Sequence, residues 1–457
     1  MPRIVKHGAG VVGGPLFGHP RGLAYLAFTE TWERFSFSGM QALLVLYMVD
    51  ELLTPGHVEH VVGFEVLRGA IESLYGPLEP QPLSSVIFGL YTSLVFLVPV
   101  FGGWLGDRVF GQHRMVFAGA VITAFGHFMM AFEPSFLLAL ALLILGCGLL
   151  KGNISTQVGS LYDDGDRRRT DGFQVFSIGT NVGVIAAPLV CGTLGELYGW
   201  HWGFGAAGVG MLVGLGIYLS GRPYLPPDRR TLAAAPPASL LPEDRRLLLV
   251  LVAVFALTIC FLLTAGQLGN VYSLWIRSAI DREVGGLTIP VTWFQSLTPF
   301  VSVALTPAVL RFWQRQATQG RESTLLTKMG QGLAMASLAL VLFAALAWFT
   351  GRGSRLGWYW LLPGHVLTGL AYSFVYPVGL ALFSRVAPPG ARAMFIGVFY
   401  TTSFVASNLV GWIGGFYRTL ASYEFWLLQA AIGAGGALLV LLAGRPLGRM
   451  VAAAPEH

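Results

Sequence analysis

Twelve long apolar stretches are the feature that most constrains what this chain can fold into. A helix needs about 20 predominantly apolar residues to cross the hydrocarbon core of a bilayer. The sequence is 54% hydrophobic and only 11% charged, which is more apolar surface than a soluble domain can cover. It therefore predicts an all-α integral membrane protein whose transmembrane helices are residues 22–53, 82–110, 114–132, 135–161, 170–198, 201–221, 247–280, 290–315, 325–350, 357–386, 391–419 and 422–445.

The placement of Lys and Arg predicts how these helices are oriented. If the N-terminus is cytoplasmic, 21 of the 29 Lys and Arg residues fall in cytoplasmic segments, 6 fall on the other side, and Arg34 and Lys151 lie inside spans. Cytoplasmic loops of membrane proteins carry such an excess. We therefore expect both termini on the cytoplasmic side of an inner or plasma membrane. The net charge of +6 follows from this loop pattern and gives no reason to expect a nucleic-acid partner.

A polar, proline-rich segment divides the twelve spans into two sets of six. Residues 221–246 read GRPYLPPDRRTLAAAPPASLLPEDRR, a composition typical of a linker. We predict an N-terminal six-helix bundle (1–220), a cytoplasmic linker (221–246) and a C-terminal six-helix bundle (247–457). The acidic loop 54–81 is predicted to carry a short surface helix, to which no function is assigned.

Charged residues inside the first span give the strongest functional signal. Glu30, Glu33 and Arg34 recur at helical spacing, so they form a stripe on one helix face. Each charge at the bilayer centre costs roughly 2.5–3.5 kcal/mol on insertion scales, and Lys151 in the fourth span is the other deeply placed ion. These two acids and two bases form a neutral set. Protonating one glutamate leaves a net positive charge that favours a carboxylate, so the set predicts a proton-coupled carrier of carboxylate-bearing solutes. The alternative is a purely structural network of ion pairs.

Several segments resemble the proton-dependent oligopeptide transporter family, almost from end to end. The first helix is similar to that family's helix with an E-x-x-E-R-F motif. The resemblance implies a major facilitator fold of two six-helix bundles, a substrate site near the midplane between them, symport of di- and tripeptides with protons by alternating access, and a monomer. The matching segments are GHPRGLAYLAFTETWERFSFSGMQALLVLYM, GGWLGDRVFGQHR, GLLKGNISTQVGSLY, GFQVFSIGTNVGVIAAP, WFQSLTP and YPVGLALFSRVAPPGARAMFIGVFY.

The resemblance also implies roles for individual residues. Glu30, Glu33 and Arg34 would couple transport to protons, and Lys151 would pair with them and hold the peptide carboxylate. Asp107 and Arg108 would form a cytoplasmic gate, which we favour over the alternative of a solvated turn. The substrate-binding residues expected on this basis are Arg34, Phe37, Ser38, Gln41, Tyr91, Lys151, Asn181, Gln267, Asn270, Thr298, Tyr372 and Tyr376.

The chain departs from the family pattern in its expected pocket. Phe37 and Ser38 stand where the family commonly has tyrosines, and Gln41 where it commonly has arginine. In the second half, Gly266 and Tyr372 stand where acids are expected, the latter at the position that receives the peptide's amino terminus. Thr298 stands in place of an asparagine. These departures keep a second function open, a carrier of another small anionic solute or of a modified peptide, with altered or lost proton coupling.

Catalytic or cofactor chemistry has little support in the sequence. No H-E-x-x-H, no G-x-S-x-G and no pair of catalytic aspartates occurs within the spans, so we expect no enzyme activity. The three cysteines, Cys147, Cys191 and Cys260, lie inside spans and predict neither a disulfide nor a metal cluster, and no cofactor is expected. A non-transporting receptor built on the same fold stays open as an alternative.

Overall fold

The described part of the chain is mostly α-helical. The computed structural model describes residues 16, 18–163, 166, 168–228, 246–387 and 392–452, and all structural statements concern these residues. The helices are α1 Arg21–Tyr47, α2 Phe64–Tyr75, α3 Pro80–Leu105, α4 Gln112–Met129, α5 Phe136–Ser160, α6 Arg168–Tyr198, α7 Trp200–Gly221, α8 Arg246–Gly266, α9 Tyr272–Ala279, α10 Leu297–Thr318, α11 Leu325–Thr350, α12 Leu362–Val386, α13 Arg392–Gly414 and α14 Ser422–Ala452.

Each predicted membrane span coincides largely with one of these helices, except the span 247–280. Ten described helical segments are long and apolar enough to cross a membrane. Two further predicted spans correspond to α1, whose ionic residues lower its hydropathy, and to α4, which is 18 residues long and begins with the polar triplet QHR. The all-α class predicted from the sequence is therefore confirmed.

One predicted span is interrupted in the structure. The stretch 247–280 was expected to be continuous, but α8 ends at Gly266 and α9 begins only at Tyr272. The intervening turn keeps its buried polar groups satisfied, because the side chains of Gln267 and Asn270 both donate to the carbonyl oxygen of Val410, at 3.1 and 3.2 Å. Hydropathy alone does not detect such a break, since the turn is as buried as the helices beside it.

The loop after α1 contains the surface helix expected from the sequence, which is α2. Its carboxylate Glu72 accepts hydrogen bonds from the backbone N–H of Leu78 at 3.1 Å and from Arg68 at 2.9 Å. These bonds hold the pKa of Glu72 below its ordinary value. They also tie the end of α2 to the turn that leads into α3.

Four two-residue strands are the β-structure of the described chain. Strand β1 (Ile280–Asp281) pairs in parallel with β4 (Leu356–Gly357), and β2 (Glu283–Val284) pairs with β3 (Leu287–Thr288) as a hairpin. The hairpin turn is Gly285-Gly286, with φ of 60° and 83°. Tight hairpin turns need positive φ at both central positions, which glycine adopts without steric cost.

The described residues divide into two compact units. One takes in the described parts of Met1–Met40 and Leu97–Ala234, and the other those of Gln41–Phe96 and Ala235–His457. In the second unit, residues 41–96 accompany the C-terminal helices. The proposed boundaries at 1–220, 221–246 and 247–457 stay a prediction, and residues 229–245 of the linker lie outside the described residues.

Each unit has its own apolar core. In the first unit, α4 packs against α5 and α7, with a core built around Val116, Ala120 and Leu150. In the second unit, α11 packs against α12 and α14, and α8 contacts all three, with Val254 and Phe261 fully buried among them. These packed helices fix the positions from which the functional side chains project.

Gly119 has no side chain, and this allows the close approach of α4 and α5. A Cβ at Gly119 would lie 2.7 Å from the carbonyl oxygen of Gly146 and 2.8 Å from the backbone nitrogen of Leu150, so backbone must move. Gly119→Ala is expected to destabilise the protein by about 1–3 kcal/mol. Gly205→Ala is the matched control, because a Cβ there meets nothing within 4 Å. Thermal unfolding of purified protein in detergent tests this, and equal midpoints for the two variants would contradict it.

Candidate functional site

The charged stripe of α1 is buried and internally paired. Glu30 is 3% exposed and Glu33 is 1% exposed. The Arg34 Nε donates to Glu30 Oε1 at 2.6 Å, one helical turn away, and lies 3.1 Å from Glu33 Oε2. A guanidinium between two carboxylates offsets the cost of removing them from water. The helical spacing read from the sequence therefore produces one compact ionic cluster.

Helix α5 brings Lys151 to the same cluster. Its Nζ lies 3.9 Å from Glu33 Oε1 and 4.0 Å from the centre of the Phe37 ring. The first distance is an ion pair beyond hydrogen-bond length, and the second is a cation–π contact. Lys151 is thus held less tightly to Glu33 than Arg34 is to Glu30. The structure brings together Glu30, Glu33, Arg34, Phe37 and Lys151, and their roles in proton coupling and substrate binding stay predictions.

The cluster contains a further residue, Cys147, that was not predicted from the sequence. The Cys147 thiol lies 3.7 Å from Glu33 Oε1 and is positioned to donate to it. Cys147 precedes Lys151 by four residues on α5, so both side chains project from the same helix face. That spacing is the signal in the sequence that indicates the contact, whereas the apolar span around Cys147 predicts only a small buried side chain.

The net charge of the cluster changes when one of its carboxylates takes up a proton. With both carboxylates ionised it is neutral, and with one protonated it carries one positive charge. Glu33 is the central group, because its two oxygens face Arg34 on one side and Lys151 on the other. A proton on Glu33 weakens both attractions at once and leaves Lys151 able to attract another carboxylate.

The other predicted residues of the first unit lie on α1, α6 and the end of α3. Ser38 is half-buried. Asn181 on α6 is also half-buried and donates to the carbonyl oxygen of Ser177 at 2.8 Å. In the π-helical turn Gly106–Phe110, Asp107 accepts from the Gln112 side chain at 3.0 Å, whereas Arg108 is exposed.

In the second unit, Gln267 and Asn270 are fully buried. Asn270 accepts from Ser85 Oγ at 3.0 Å and donates to Gln267 Oε1 at 3.2 Å, besides the bonds of both amides to Val410. Their polar atoms therefore hold the turn between α8 and α9 against its neighbours. Of the other predicted residues here, Tyr91 is buried and Gln41 is half-buried.

Thr298 belongs to a chain of side-chain hydrogen bonds. Its Oγ1 lies 2.8 Å from Nδ1 of His365, and the other ring nitrogen lies 2.5 Å from the hydroxyl of Tyr272. His365 and Tyr272 are buried, and Thr298 is half-buried. The chain links α9, α10 and α12 within the second unit.

Tyr372 and Tyr376 form an aromatic pair on α12. Their ring centres are 5.6 Å apart with an interplanar angle of 17°, so the rings are stacked. Tyr376 also contacts Phe399, and Tyr372 contacts Phe261. Despite these contacts, Tyr372 is 41% exposed, which leaves part of an aromatic surface on α12 available.

The sequence of this chain is similar to a known protein family and to individual transporters. The pattern that defines the POT family (PTR2) matches residues 113–230 and 237–424. The chain is 29% identical over 485 residues to an uncharacterized transporter of Bacillus subtilis (strain 168), covering 93% of this chain and 94% of the relative. It is 27% identical over 498 residues to a di-/tripeptide transporter of Lactococcus lactis subsp. lactis (strain IL1403), covering 94% and 96%.

Solved structures agree with the sequence comparison. The crystal structure of peptide transporter POT in complex with sulfate superposes with a TM-score of 0.84 at 27% identity, covering 97% of this chain and 98% of the other. The predicted major facilitator fold and the predicted membrane transport class are thereby confirmed. The chain belongs to the POT family of peptide transporters, as its first helix had indicated.

Proposed function

We propose that this protein is a proton-coupled symporter that imports di- and tripeptides by alternating access. The observation that carries the proposal is the buried neutral set of Glu30, Glu33, Arg34 and Lys151. A structural role alone does not need ions at this depth, because well-packed apolar residues are often as stabilising as a buried ion pair. Similarity to a di-/tripeptide transporter of Lactococcus and to the crystal structure of a peptide transporter supports peptides as substrates.

Binding of a proton and binding of a carboxylate favour each other in this arrangement. A proton on Glu33 turns the neutral set into one with a single positive charge, and a substrate carboxylate beside Lys151 restores neutrality. Because each event lowers the free energy of the other, proton and substrate load together. Loss of the proton on the cytoplasmic side re-forms the Glu33–Lys151 attraction and expels the carboxylate.

Further parts of the proposal follow the family pattern. Asp107 and Arg108 act at a cytoplasmic gate, both termini lie in the cytoplasm, and the protein works as a monomer in an inner or plasma membrane. The excess of Lys and Arg on one side supports the orientation. Asn181 and Tyr91 contact the peptide in this proposal.

A modified peptide or another small anion is the second candidate substrate. The predicted spans of the C-terminal half contain one acidic residue, Glu424. It lies in the first turn of α14 and accepts from the backbone N–H of Ala421 at 3.0 Å. An ammonium group removed from water needs an anionic partner, and the exposed ring of Tyr372 offers only a weaker cation–π contact. This favours solutes with a carboxylate and an uncharged second end.

Uptake of labelled dialanine into proteoliposomes with an acidic exterior tests the main proposal. We expect accumulation above the external concentration that disappears when a protonophore collapses the gradient. N-acetyl-dialanine, which keeps the carboxylate and lacks the ammonium, is tested in parallel. Uptake of the acetylated peptide alone would favour the second candidate. Uptake of neither by folded protein would overturn the main proposal and leave a non-peptide anion as the form of the second candidate to be tested.

A further inference from the structure

Cys147 is a fully buried thiol that the transport cycle described above does not use. Its sulphur lies 3.7 Å from Glu33 Oε1, and Lys151 Nζ lies 3.9 Å from the same oxygen. Two groups on one face of α5 therefore face one carboxylate oxygen of α1. The other oxygen faces Arg34 at 3.1 Å.

The neighbours of Cys147 in the sequence explain why it is held in place. Gly146 and Gly148 flank it, and both sit where α5 touches another helix. A Cβ at Gly146 would lie 2.7 Å from the backbone nitrogen of Thr123 on α4, and one at Gly148 would lie 3.0 Å from Cβ of Val98 on α3. Because α5 is pressed against a helix on each side of Cys147, the thiol has little freedom to move away from Glu33.

We infer that Cys147 is a positioning residue for Glu33. Its thiol orients the Glu33 carboxylate and thereby shifts the external pH at which uptake is half-maximal. An S–H donor bonds weakly, but a donor to an ionised acceptor in a buried site favours the ionised form. Cysteine at this position thus offers the Glu33 carboxylate a donor that an apolar residue would not. The inference rests on the proposed proton coupling.

The other charged and titratable groups that face Glu33 in the described structure stay the same when Cys147 is changed. They are Glu30 and Arg34 on α1 and Lys151 on α5. A change confined to Cys147 therefore alters one donor and no charge. This makes the pH profile of uptake a readout that a merely structural cysteine would not move.

The test compares Cys147→Ala and Cys147→Ser in dialanine uptake measured over a range of external pH. Alanine removes the donor, so the half-maximal pH is expected to rise by a few tenths of a unit. Serine supplies a stronger O–H donor, so the half-maximal pH is expected to fall by about half a unit. The C–O bond of serine is shorter than the C–S bond of cysteine, so the Glu33 side chain must move toward α5 for this hydrogen bond to form.

Cys260→Ser is the matched control, because Cys260 is on α8 in the second unit, among apolar neighbours of the core. It is expected to leave the pH profile unchanged. Opposite shifts in the two Cys147 variants would support the inference. Unchanged midpoints, or equal shifts in the same direction, would overturn it while leaving the proposed coupling intact. A wild-type protein without any pH dependence would overturn the proposed coupling, and the inference with it.

Discussion

Lys151→Ala is expected to reduce gradient-driven dialanine uptake by about 100-fold or more. The alanine leaves Glu30, Glu33 and Arg34 with a net charge of −1. Protonating one glutamate then produces a neutral set, which has no surplus cation for a substrate carboxylate. The measurement is the initial rate of labelled dialanine uptake into proteoliposomes at a fixed pH gradient.

Lys328→Ala is the matched control for this variant. Lys328 is also buried. Its Nζ lies 2.8 Å from Glu322 Oε1 and 4.4 Å from the ring centre of Trp313. It therefore combines an ion pair with a cation–π contact, as Lys151 does. An equal loss of uptake in both variants would indicate general damage to the protein. Wild-type uptake by Lys151→Ala would contradict a role for this lysine in binding substrate.

The helices could be predicted from the sequence because membrane spans follow from local hydropathy. The break after Gly266 could not, because what makes it possible is a distant group. The carbonyl oxygen of Val410, more than a hundred residues away, accepts from the amides of Gln267 and Asn270. Hydropathy reports only the apolar residues on either side of such a turn, so it predicts a continuous helix.

The candidate site likewise could be predicted where it depends on one helix, and less well where it depends on contacts between helices. The stripe of Glu30, Glu33 and Arg34 is a property of one helix, so its spacing in the sequence was sufficient to predict it. The contact with Lys151 depends on how α5 packs against α1, and it was inferred from charge balance and family resemblance. Cys147 was not predicted, because a thiol near a carboxylate has no local signature. The expected substrate contacts of Gln267 and Asn270 stay predictions, and both amides have partners within the protein.

Glu33→Gln is expected to separate proton coupling from substrate binding. Glutamine resembles the protonated acid in shape and charge but cannot release a proton. With one proton per substrate, a gradient of two pH units can drive up to about 100-fold accumulation, since each unit is worth about 1.4 kcal/mol. The variant is expected to accumulate dialanine no higher than the external concentration. It should still exchange labelled for unlabelled dialanine across the membrane without a gradient, because the positive set that binds a carboxylate is permanently present.

Glu30→Gln distinguishes which carboxylate carries the proton. Glu30 Oε1 accepts from Arg34 at 2.6 Å, whereas Glu33 faces both Arg34 and Lys151. A proton on Glu30 therefore weakens one strong pair that a substrate does not need to break. A proton on Glu33 weakens the pair that competes with the substrate for Lys151. We expect Glu30→Gln to retain part of the gradient-driven accumulation that Glu33→Gln loses. The reverse order would assign the proton to Glu30, and full accumulation by both variants would remove the α1 carboxylates from the coupling mechanism.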